Sequence, residues 1–359
     1  LADMKAEYDY IVVGAGSAGC VLANRLSQDG RASVLVIEAG GTDIAQAKIA
    51  NPLLWITNIG SDTDWGSKSV PQPHLANRVT PVPVGKVIGG GSSINALIWL
   101  RGDKSDYDAW EAAAGPNWSF ASILRNFKKV ERYAGGEGPY RGGAGMIPTH
   151  KPAPNHPVTR AFIESAKELG LAENFDLNGT ASLLGAGQLD VNTEDGRRVS
   201  AAHAYLLPAL SRSSLTLLSS AQVLRLELSG GQCRGVVVSA QGQERRIAAA
   251  KEVILAAGAV HSPKLLMLSG VGPADHLRSL GIGVAADSPA IGNNLHDHLL
   301  ARVVFTAKQT MPPREELGIS GTAYLKMRAL RPGPDIQIFG RHDAFGLKDV
   351  KPDGGYALL

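Results

Sequence analysis

The first forty residues alternate between short hydrophobic runs and polar or glycine-rich turns. The hydrophobic run from Tyr10 to Val13 predicts a buried strand, and three glycines follow it with the spacing Gly-x-Gly-x-x-Gly. Hydrophobic positions after the glycines recur every three or four residues and predict a helix. A second hydrophobic run at 33–37 predicts another strand, which ends at Glu38. This order of strand, turn, helix, strand and acid is typical of a dinucleotide-binding unit.

The three glycines and the acid each have a physical role in such a unit. Gly14 permits the tight turn, Gly16 lets a pyrophosphate approach the backbone, and Gly19 lets the helix pack closely against the strand. The N–H groups and the positive dipole end of the helix then face the phosphates. Glu38 can accept hydrogen bonds from a ribose diol. The alternative is a glycine-rich turn in another α/β protein, and this motif alone does not distinguish NAD from FAD.

A second glycine-rich segment spans residues 85–99. Three consecutive glycines, Gly89 to Gly91, precede two serines and Asn95. Consecutive glycines expose backbone amides and admit a flat or charged ligand closely. A flat heteroaromatic ring with polar edges would fit this lining, whereas the alternative is a structural loop that caps a helix at Ser92.

The rest of the chain mixes helix and strand patterns. Asp103 and Ser119 are plausible helix N-caps, and residues 172–196 have the polar, aperiodic pattern of a loop. The predicted helices span 103–114, 119–133, 157–169, 197–210 and 264–269. The predicted strands span 215–218, 223–228, 235–238, 246–255, 302–305 and 335–339.

The strands between 215 and 255 are expected to form an antiparallel insertion that returns to the main sheet. The returning strand, 252–258, is a nearly continuous hydrophobic run that ends in small residues. Such a run suits a strand that is buried on both faces. Ala257 and Gly258 would leave room for a ligand at its carboxyl end.

Charge and cysteine content restrict the class of protein. The chain has 359 residues, with 36 Lys and Arg against 33 Asp and Glu, and its two arginine pairs are isolated. Nucleic-acid binding is therefore not expected. No hydrophobic run is long enough to span a bilayer, and no charged and hydrophobic leader precedes Tyr8. The two cysteines, Cys20 and Cys233, are expected to be reduced thiols, so the predicted location is cytoplasmic.

The sequence His296-Asp297-His298 has the residue types of a metal site. No third histidine or carboxylate stands at a convincing spacing, so no metal is expected. A turn whose polar side chains satisfy backbone groups is the preferred interpretation.

Four blocks of the chain together resemble the glucose–methanol–choline (GMC) family of FAD-dependent oxidoreductases. They are 10–26 with 38–40, 85–101 with 106–110, 258–272, and 292–299. The resemblance implies an α/β fold (α+β overall). A Rossmann-like FAD-binding domain would comprise 6–150 and 198–298. A substrate-binding domain of mixed sheet and helices would comprise 151–197 and 299–359.

The resemblance also implies which residues contact FAD. The pyrophosphate would lie at Gly14, Gly16, Ser17, Ala18 and Gly19, and the ribose at Glu38 and Ala39. The ribityl chain and isoalloxazine would lie along Val87, Gly90, Gly91, Asn95, Ala96, Leu97 and Ile98. The adenine end would lie near Val223, Ala257 and Gly258.

Two features depart from the family pattern. Some relatives attach FAD covalently through a histidine just before the asparagine of the second block, but this position is Ile94, so non-covalent FAD is expected. Relatives also carry a C-terminal segment with a catalytic histidine paired with a histidine or asparagine, and no matching segment is found here. The catalytic role is not transferred to His296, His298 or His342, and a longer protein or a second chain is expected to supply it.

The expected reaction is oxidation of a primary or secondary alcohol to an aldehyde or ketone, with hydride transfer to flavin N5. A base must take the hydroxyl proton, because a neutral alcohol is a poor hydride donor. The expected partners are a small alcohol and oxygen or another electron acceptor. Three alternatives remain open: a hydroxynitrile-lyase-type flavoprotein without net redox, an NAD-dependent dehydrogenase, and a non-catalytic FAD-binding fragment or subunit.

Overall fold

The computed structural model describes residues 4–152, 156–308, 310–313, 317–343 and 355–359. The chain divides into two compact units. The first unit comprises Leu1–Ala50, Ile56–Asn95 and Ser200–His298, and the second comprises Asn51–Trp55, Ala96–Val199 and Leu299–Leu359.

The described residues form the following strands and helices. The strands are β1 (Glu7–Val13), β2 (Val34–Ile37), β3 (Ser67–Lys68), β4 (Pro81–Val82), β5 (Ile98–Trp99), β6 (Glu131–Tyr133), β7 (Ile147–Thr149), β8 (Gly185–Gln188), β9 (Asp190–Val191), β10 (Thr193–Glu194), β11 (Arg197–Arg198), β12 (Leu215–Leu218), β13 (Ala221–Ser229), β14 (Gln232–Ala240), β15 (Gln243–Leu255), β16 (Val271–Gly272), β17 (Ala286–Asp287), β18 (Val303–Thr306), β19 (Ile319–Leu325), β20 (Ile336–Arg341) and β21 (Gly355–Leu358). The α-helices are α1 (Ser17–Leu26), α2 (Ala47–Ala50), α3 (Gly91–Ile94), α4 (Lys104–Ala114), α5 (Phe120–Val130), α6 (Pro157–Glu168), α7 (Leu207–Ala209), α8 (Gly258–Leu268) and α9 (Ala274–Ser279). Short 3₁₀ segments span Pro52–Asn58, Pro73–Leu75 and Pro116–Trp118, and a π-helix spans Ala202–Leu206.

The first unit is built on a six-stranded sheet in the order β12-β2-β1-β15-β14-β13. The four strands from β12 to β15 are parallel neighbours, whereas β14 and β13 continue the sheet antiparallel. All four residues of β2 are buried, as expected for a strand covered on both faces. The carboxyl ends of β1, β2 and β15 therefore meet at one edge, and this edge positions the candidate site.

The second unit is built on a five-stranded antiparallel sheet in the order β18-β21-β20-β19-β8. Helix α6 packs on this sheet through Phe162. A Cβ on Gly321 or Gly340 would come within 3.0 or 2.9 Å of the Phe162 ring, so the strands present glycines where the aromatic ring lies.

A buried ionic network also lies in the second unit. The Arg141 guanidinium contacts the carboxylates of Glu131, Asp176 and Asp190, and Arg101 contacts Glu131 as well. The Glu131 and Asp190 side chains are fully buried. Because an unpaired buried charge is very costly, this network holds together chain segments that are distant in sequence.

The α/β fold class is confirmed, but the compact units differ from the predicted domains at residues 51–55, 96–150 and 198–199. These residues belong to the second unit rather than to the first. The physical reason is that β5 pairs with β9 and that the ionic network joins Arg101 and Arg141 to Asp176 and Asp190. Which unit binds cofactor and which binds substrate stays a prediction.

Two predicted segments between 172 and 210 were wrong in detail. The expected loop at 172–196 contains β8, β9 and β10, and the expected helix from residue 197 begins only at Ala202. Strand β11 pairs antiparallel with β10 instead, around Asp195 and Gly196, which have φ of 50° and 69°. An Asp-Gly pair favours such a turn because both residues tolerate positive φ.

Two further segments differ. Strand β12 was expected in the antiparallel insertion, but it pairs parallel with β2 at the edge of the sheet. Helix α8 begins at Gly258 rather than at Lys264, with Pro263 inside it. Among the described residues, no helix has both the length and the hydrophobicity needed to cross a membrane.

Candidate functional site

A cleft of about 540 Å³ opens in the first unit at the carboxyl ends of β1, β2 and β15. The end of each strand contributes to it: Val13 from β1, Ile37 from β2 and Leu255 from β15. Ligands of open α/β sheets bind at this edge, and the volume lies in the range of small-molecule and cofactor sites. The cleft is therefore the candidate site.

The turn from β1 into α1 forms the floor of the cleft. Gly14 has φ of +99°, and its N–H donates to the Ile37 carbonyl at 2.8 Å. Gly16, Ser17 and Ala18 follow and line the cleft, and the first turn of α1 contains no acidic residue. Backbone N–H groups at such a helix start, with no acidic residue in the helix's own first turn, suit a phosphate.

Gly19 packs the helix against the turn. A Cβ at this position would lie 1.9 Å from the Gly14 carbonyl oxygen, a distance that no side chain tolerates. This contact corresponds to the packing role that the sequence predicts for the third glycine.

The second glycine segment meets the first at this floor. The Gly89 N–H donates to the Ala15 carbonyl at 2.7 Å. Gly90 has φ of +51°, and a Cβ on it would lie 2.8 Å from the Gly16 Cα. Two backbones thus touch where any side chain would separate them, and together they form a cradle without side chains that a flat or charged ligand can approach.

Glu38 lies at the end of β2 and is 6% exposed. Its two carboxylate oxygens accept hydrogen bonds from the Ala15 N–H at 2.9 Å and the Gly40 N–H at 2.8 Å. Burial raises the pKa of Glu38, although these backbone N–H groups oppose the shift. Each oxygen retains a further lone pair, so the same carboxylate can hold the turn and still accept from a ribose hydroxyl.

Helix α8 supplies another wall. The Ser262 Oγ accepts from the Ala257 N–H at 3.1 Å and so satisfies a donor at the helix start. The His261 ring contacts the tilted Trp65 ring with ring centroids 4.4 Å apart, and both rings line the cleft together with Lys264. Lys86 lies over the Trp65 ring, with its Nζ 4.9 Å from the ring centroid.

Most of the predicted cofactor residues line this cleft. They are Gly14, Gly16, Ser17, Ala18, Glu38, Ala39, Gly90, Gly91, Val223, Ala257 and Gly258. Sequence reasoning missed Trp65, His261 and Lys264, because nothing in the local pattern places an aromatic loop residue against a helix almost two hundred positions later.

The other predicted cofactor residues lie elsewhere. Gly19 lies beneath the turn, and Val87 lines a smaller cavity of about 250 Å³. Asn95 is exposed at the end of α3, where its N–H donates to the Gly91 carbonyl at 2.9 Å. Ala96, Leu97 and Ile98 belong to the second unit, where Leu97 is buried with φ of +58°. Their roles stay predictions.

The histidines near the end of the chain lie in different surroundings. His296 and His298 are exposed. His342 is buried in the second unit, where it stacks on His156 with ring centroids 3.8 Å apart and its Nε2 contacts the Thr159 Oγ1 at 2.8 Å. Over the residues that the structure describes, no group of three histidine, cysteine, aspartate or glutamate side chains could hold a metal ion.

Comparison with known proteins gives a consistent result. A family model described as GMC oxidoreductase matches residues 8–300. An oxygen-dependent choline dehydrogenase from Sinorhizobium fredii is 42% identical over 292 residues, which cover 81% of this chain and 53% of that relative. The chain therefore spans about half the length of the curated relatives that it matches.

Two solved structures are similar at moderate identity. A pyridoxine 4-oxidase from Mesorbium loti has a TM-score of 0.91 and 34% identity, and the match covers 98% of this chain and 70% of that one. An FAD-dependent oxidoreductase from Chaetomium thermophilum has a TM-score of 0.73 and 35% identity, covering 79% of this chain and 51% of that one.

Proposed function

Because this chain belongs to the GMC oxidoreductase family, we propose that the protein oxidises a primary or secondary alcohol to the aldehyde or ketone, with FAD bound in the cleft of the first unit. The resemblance that the sequence predicts is confirmed, and so is FAD as the cofactor of the family. The observation that carries the proposal is the contact between the two glycine segments at the floor of the cleft.

The cleft residues would hold the dinucleotide as follows. The N–H groups at the start of α1, from Ser17 onward, would bind the diphosphate. Glu38 would accept from the adenosine ribose while it keeps its bonds to Ala15 and Gly40. Gly90 and Gly91 would let the remainder of the cofactor approach the backbone, since a side chain at Gly90 would collide with Gly16.

FAD is proposed to be non-covalent. Ile94 occupies the position of the family's histidine attachment, and an alkyl side chain cannot form that bond. Acid precipitation of the purified protein should therefore release all the flavin into the supernatant. A yellow pellet after washing in denaturant would contradict this expectation.

When bound, FAD supplies the redox chemistry by accepting a hydride from the alcohol carbon at N5. The protein binds and orients the cofactor and excludes competing reactions. Asn95 is proposed to stabilise the reduced form by hydrogen bonding, and an Asn95→Ala variant with an unchanged flavin potential would contradict this role. The base for the hydroxyl proton is not assigned to a residue of this chain.

The substrate and acceptor are proposed only as classes. The relatives include choline dehydrogenases and a pyridoxine 4-oxidase, which favours alcohol oxidation over the lyase alternative. Oxygen or another acceptor would reoxidise the flavin. A test panel should therefore include choline, pyridoxine and simple primary and secondary alcohols.

The deciding experiment follows the visible absorption of the purified protein anaerobically while each alcohol is added. Flavin absorption that bleaches with an alcohol of the panel is the expected result. Bound flavin that no alcohol bleaches would contradict alcohol oxidation by this chain and leave FAD binding intact. Absence of flavin after reconstitution with FAD would overturn the proposal as a whole.

A further inference from the structure

The cleft contains a group of side chains to which the family resemblance assigns no role. The Trp65 and His261 rings contact each other in a tilted arrangement, with a centroid distance of 4.4 Å and an interplanar angle of 35°. Lys264, one helical turn beyond His261, lines the same cleft. Lys86 approaches the Trp65 ring to 4.9 Å. His261 and Lys86 thus both approach the Trp65 ring, and Lys264 lies in the same cleft near His261.

Backbone bonds hold the Trp65 side of this group in place. The Trp65 N–H donates to the Val84 carbonyl at 2.9 Å. The buried Asp64 carboxylate accepts from the N–H groups of Gly60, Val84 and Gly66. Burial alone would raise the pKa of Asp64, but these N–H groups outweigh it and lower the pKa, so the carboxylate stays charged and anchors the loop. The ring against which His261 rests is therefore fixed.

Electrostatics in the cleft are unbalanced before an anion binds. Among the described residues that line the cleft, the titratable side chains are Glu38, His261 and Lys264, and Lys86 lies behind Trp65. Burial first, and then the nearby Lys264, lower the pKa of His261. A dinucleotide diphosphate brings negative charge into the same cleft, which favours the protonated imidazole.

We propose that His261 and Lys264 form a cationic wall of the cofactor cleft, with Trp65 as the platform that holds the imidazole, and that His261 takes up a proton from solvent when the dinucleotide diphosphate binds. This inference rests on the proposed function, since it takes the cleft as the FAD site. It adds an electrostatic contribution of side chains to the backbone contacts of the glycine segments.

The sign of the pH dependence follows from linkage. If the pKa of His261 is higher in the complex than in the free protein, affinity for FAD is greatest at low pH and falls as the pH rises between the two values. A difference of half a pKa unit corresponds to about a threefold change in affinity. Lys264 is exposed, so its own contribution should also be about threefold.

The test uses the full chain freed of FAD and then titrated with FAD. Flavin fluorescence gives the affinity between pH 5.5 and pH 8.5, values roughly one unit below and two units above the ordinary histidine pKa. Calorimetry in two buffers of different ionisation enthalpy gives the number of protons taken up. The variants are His261→Phe, which keeps an aromatic ring against Trp65, and His261→Gln and Lys264→Met. The matched controls are His276→Gln and Lys68→Met, two exposed positions outside the cleft.

The expected result is net proton uptake by the wild type and His276→Gln, and none by His261→Phe and His261→Gln. Both His261 variants should bind FAD about threefold more weakly than wild type at pH 5.5 and equally well at pH 8.5. Lys264→Met should weaken binding about threefold. It should also reduce proton uptake, because without the lysine the His261 ring of the FAD-free protein is already protonated to a greater extent.

FAD binding without proton uptake by the wild type, or with unchanged uptake by His261→Phe, would overturn the inference and leave the proposed function standing. Failure of the wild type to bind FAD at any pH would overturn both. If His261→Phe does not fold, His261→Gln decides between the two outcomes.

Discussion

Single atoms determine which residues the cleft floor accepts. Gly19 has no room for even one carbon, because the Gly14 carbonyl oxygen lies 1.9 Å from the position of a Cβ. The same floor depends on Glu38, whose carboxylate accepts from Ala15 and Gly40. The two positions have opposite requirements: position 19 must have no side chain, whereas position 38 needs a side chain with two hydrogen-bond acceptors.

Replacement of Gly19 by alanine should therefore destabilise the protein and weaken FAD binding. The added methyl group forces α1 away from the turn, and overpacking of this kind costs about 1–3 kcal/mol. Urea unfolding and FAD titration measure the two effects. Gly283→Ala is the matched control, since a Cβ there meets nothing within 4 Å. Equal unfolding free energies for the two variants would show that the contact is not rigid.

The Glu38→Gln variant should change the pH dependence of stability in the FAD-free protein. Burial raises the pKa of Glu38 in the folded state, so the folded protein holds a proton that the unfolded chain has already lost. The resulting stabilisation is complete below the ordinary glutamate pKa and is lost as the pH rises through the folded value. Glutamine cannot titrate, so the difference from wild type should grow as the pH falls.

At neutral pH the same variant should be less stable by about 1–3 kcal/mol, because its amide group cannot accept from both backbone N–H groups. Denaturant unfolding at a series of pH values measures both effects. Glu168→Gln, at an exposed position on α6, serves as control. If the unfolding free energy of Glu38→Gln runs parallel to that of wild type across the pH series, the linkage argument is contradicted.

At the scale of elements, the two units are organised by different interactions. The first unit depends on a mixed sheet with a hydrophobic core around Ile11, Leu35 and Val236. The second unit combines its sheet with the ionic network around Arg141, which also stacks 3.8 Å from the Tyr133 ring centroid. Short strands such as β5, β6 and β9 have few ladder bonds of their own, so side-chain contacts hold them in register.

Arg141→Met should destabilise the second unit strongly. It leaves the buried carboxylates of Glu131 and Asp190 without their shared guanidinium, and breaking a buried pair costs about 3–5 kcal/mol. Arg132→Met is the matched control, because Arg132 pairs with Glu194 at the surface and such pairs contribute about 0–1 kcal/mol. Urea unfolding followed by tryptophan fluorescence compares the two. Similar losses of unfolding free energy in both variants would contradict a large contribution of the buried network to stability.

At the scale of the whole molecule, cofactor binding should be coupled to folding. A ligand that binds only the folded state at about 100 times its Kd stabilises it by about 2.7 kcal/mol. Hydrogen exchange should show FAD-dependent protection in the segments that line the cleft, at 13–18, 84–91 and 255–265. The hairpin turn at Gly230–Gly231, remote from the lining, should be unchanged. Uniform protection across both regions would contradict binding in the cleft.

The motifs that depend on the spacing of nearby residues could be predicted from the amino-acid sequence alone. The Gly-x-Gly-x-x-Gly turn, the acid at the end of β2 and the second glycine segment were recognisable because glycine spacing and hydrophobic period are local properties. The helix N-caps at Asp103 and Ser119 were predictable for the same reason, and both side chains accept the expected backbone hydrogen bonds.

Contacts between segments that are distant in sequence became visible only in the folded chain. The contact between the Trp65 and His261 rings, the parallel pairing of β12 with β2, and the assignment of residues 96–150 to the second unit all depend on contacts between residues far apart in sequence. Local propensity carries no information about such partners, since strand pairing and burial of charge are decided by the whole packed chain. The glycine motifs of the cleft can therefore be recognised from residue spacing, whereas its cationic wall depends on the tertiary structure.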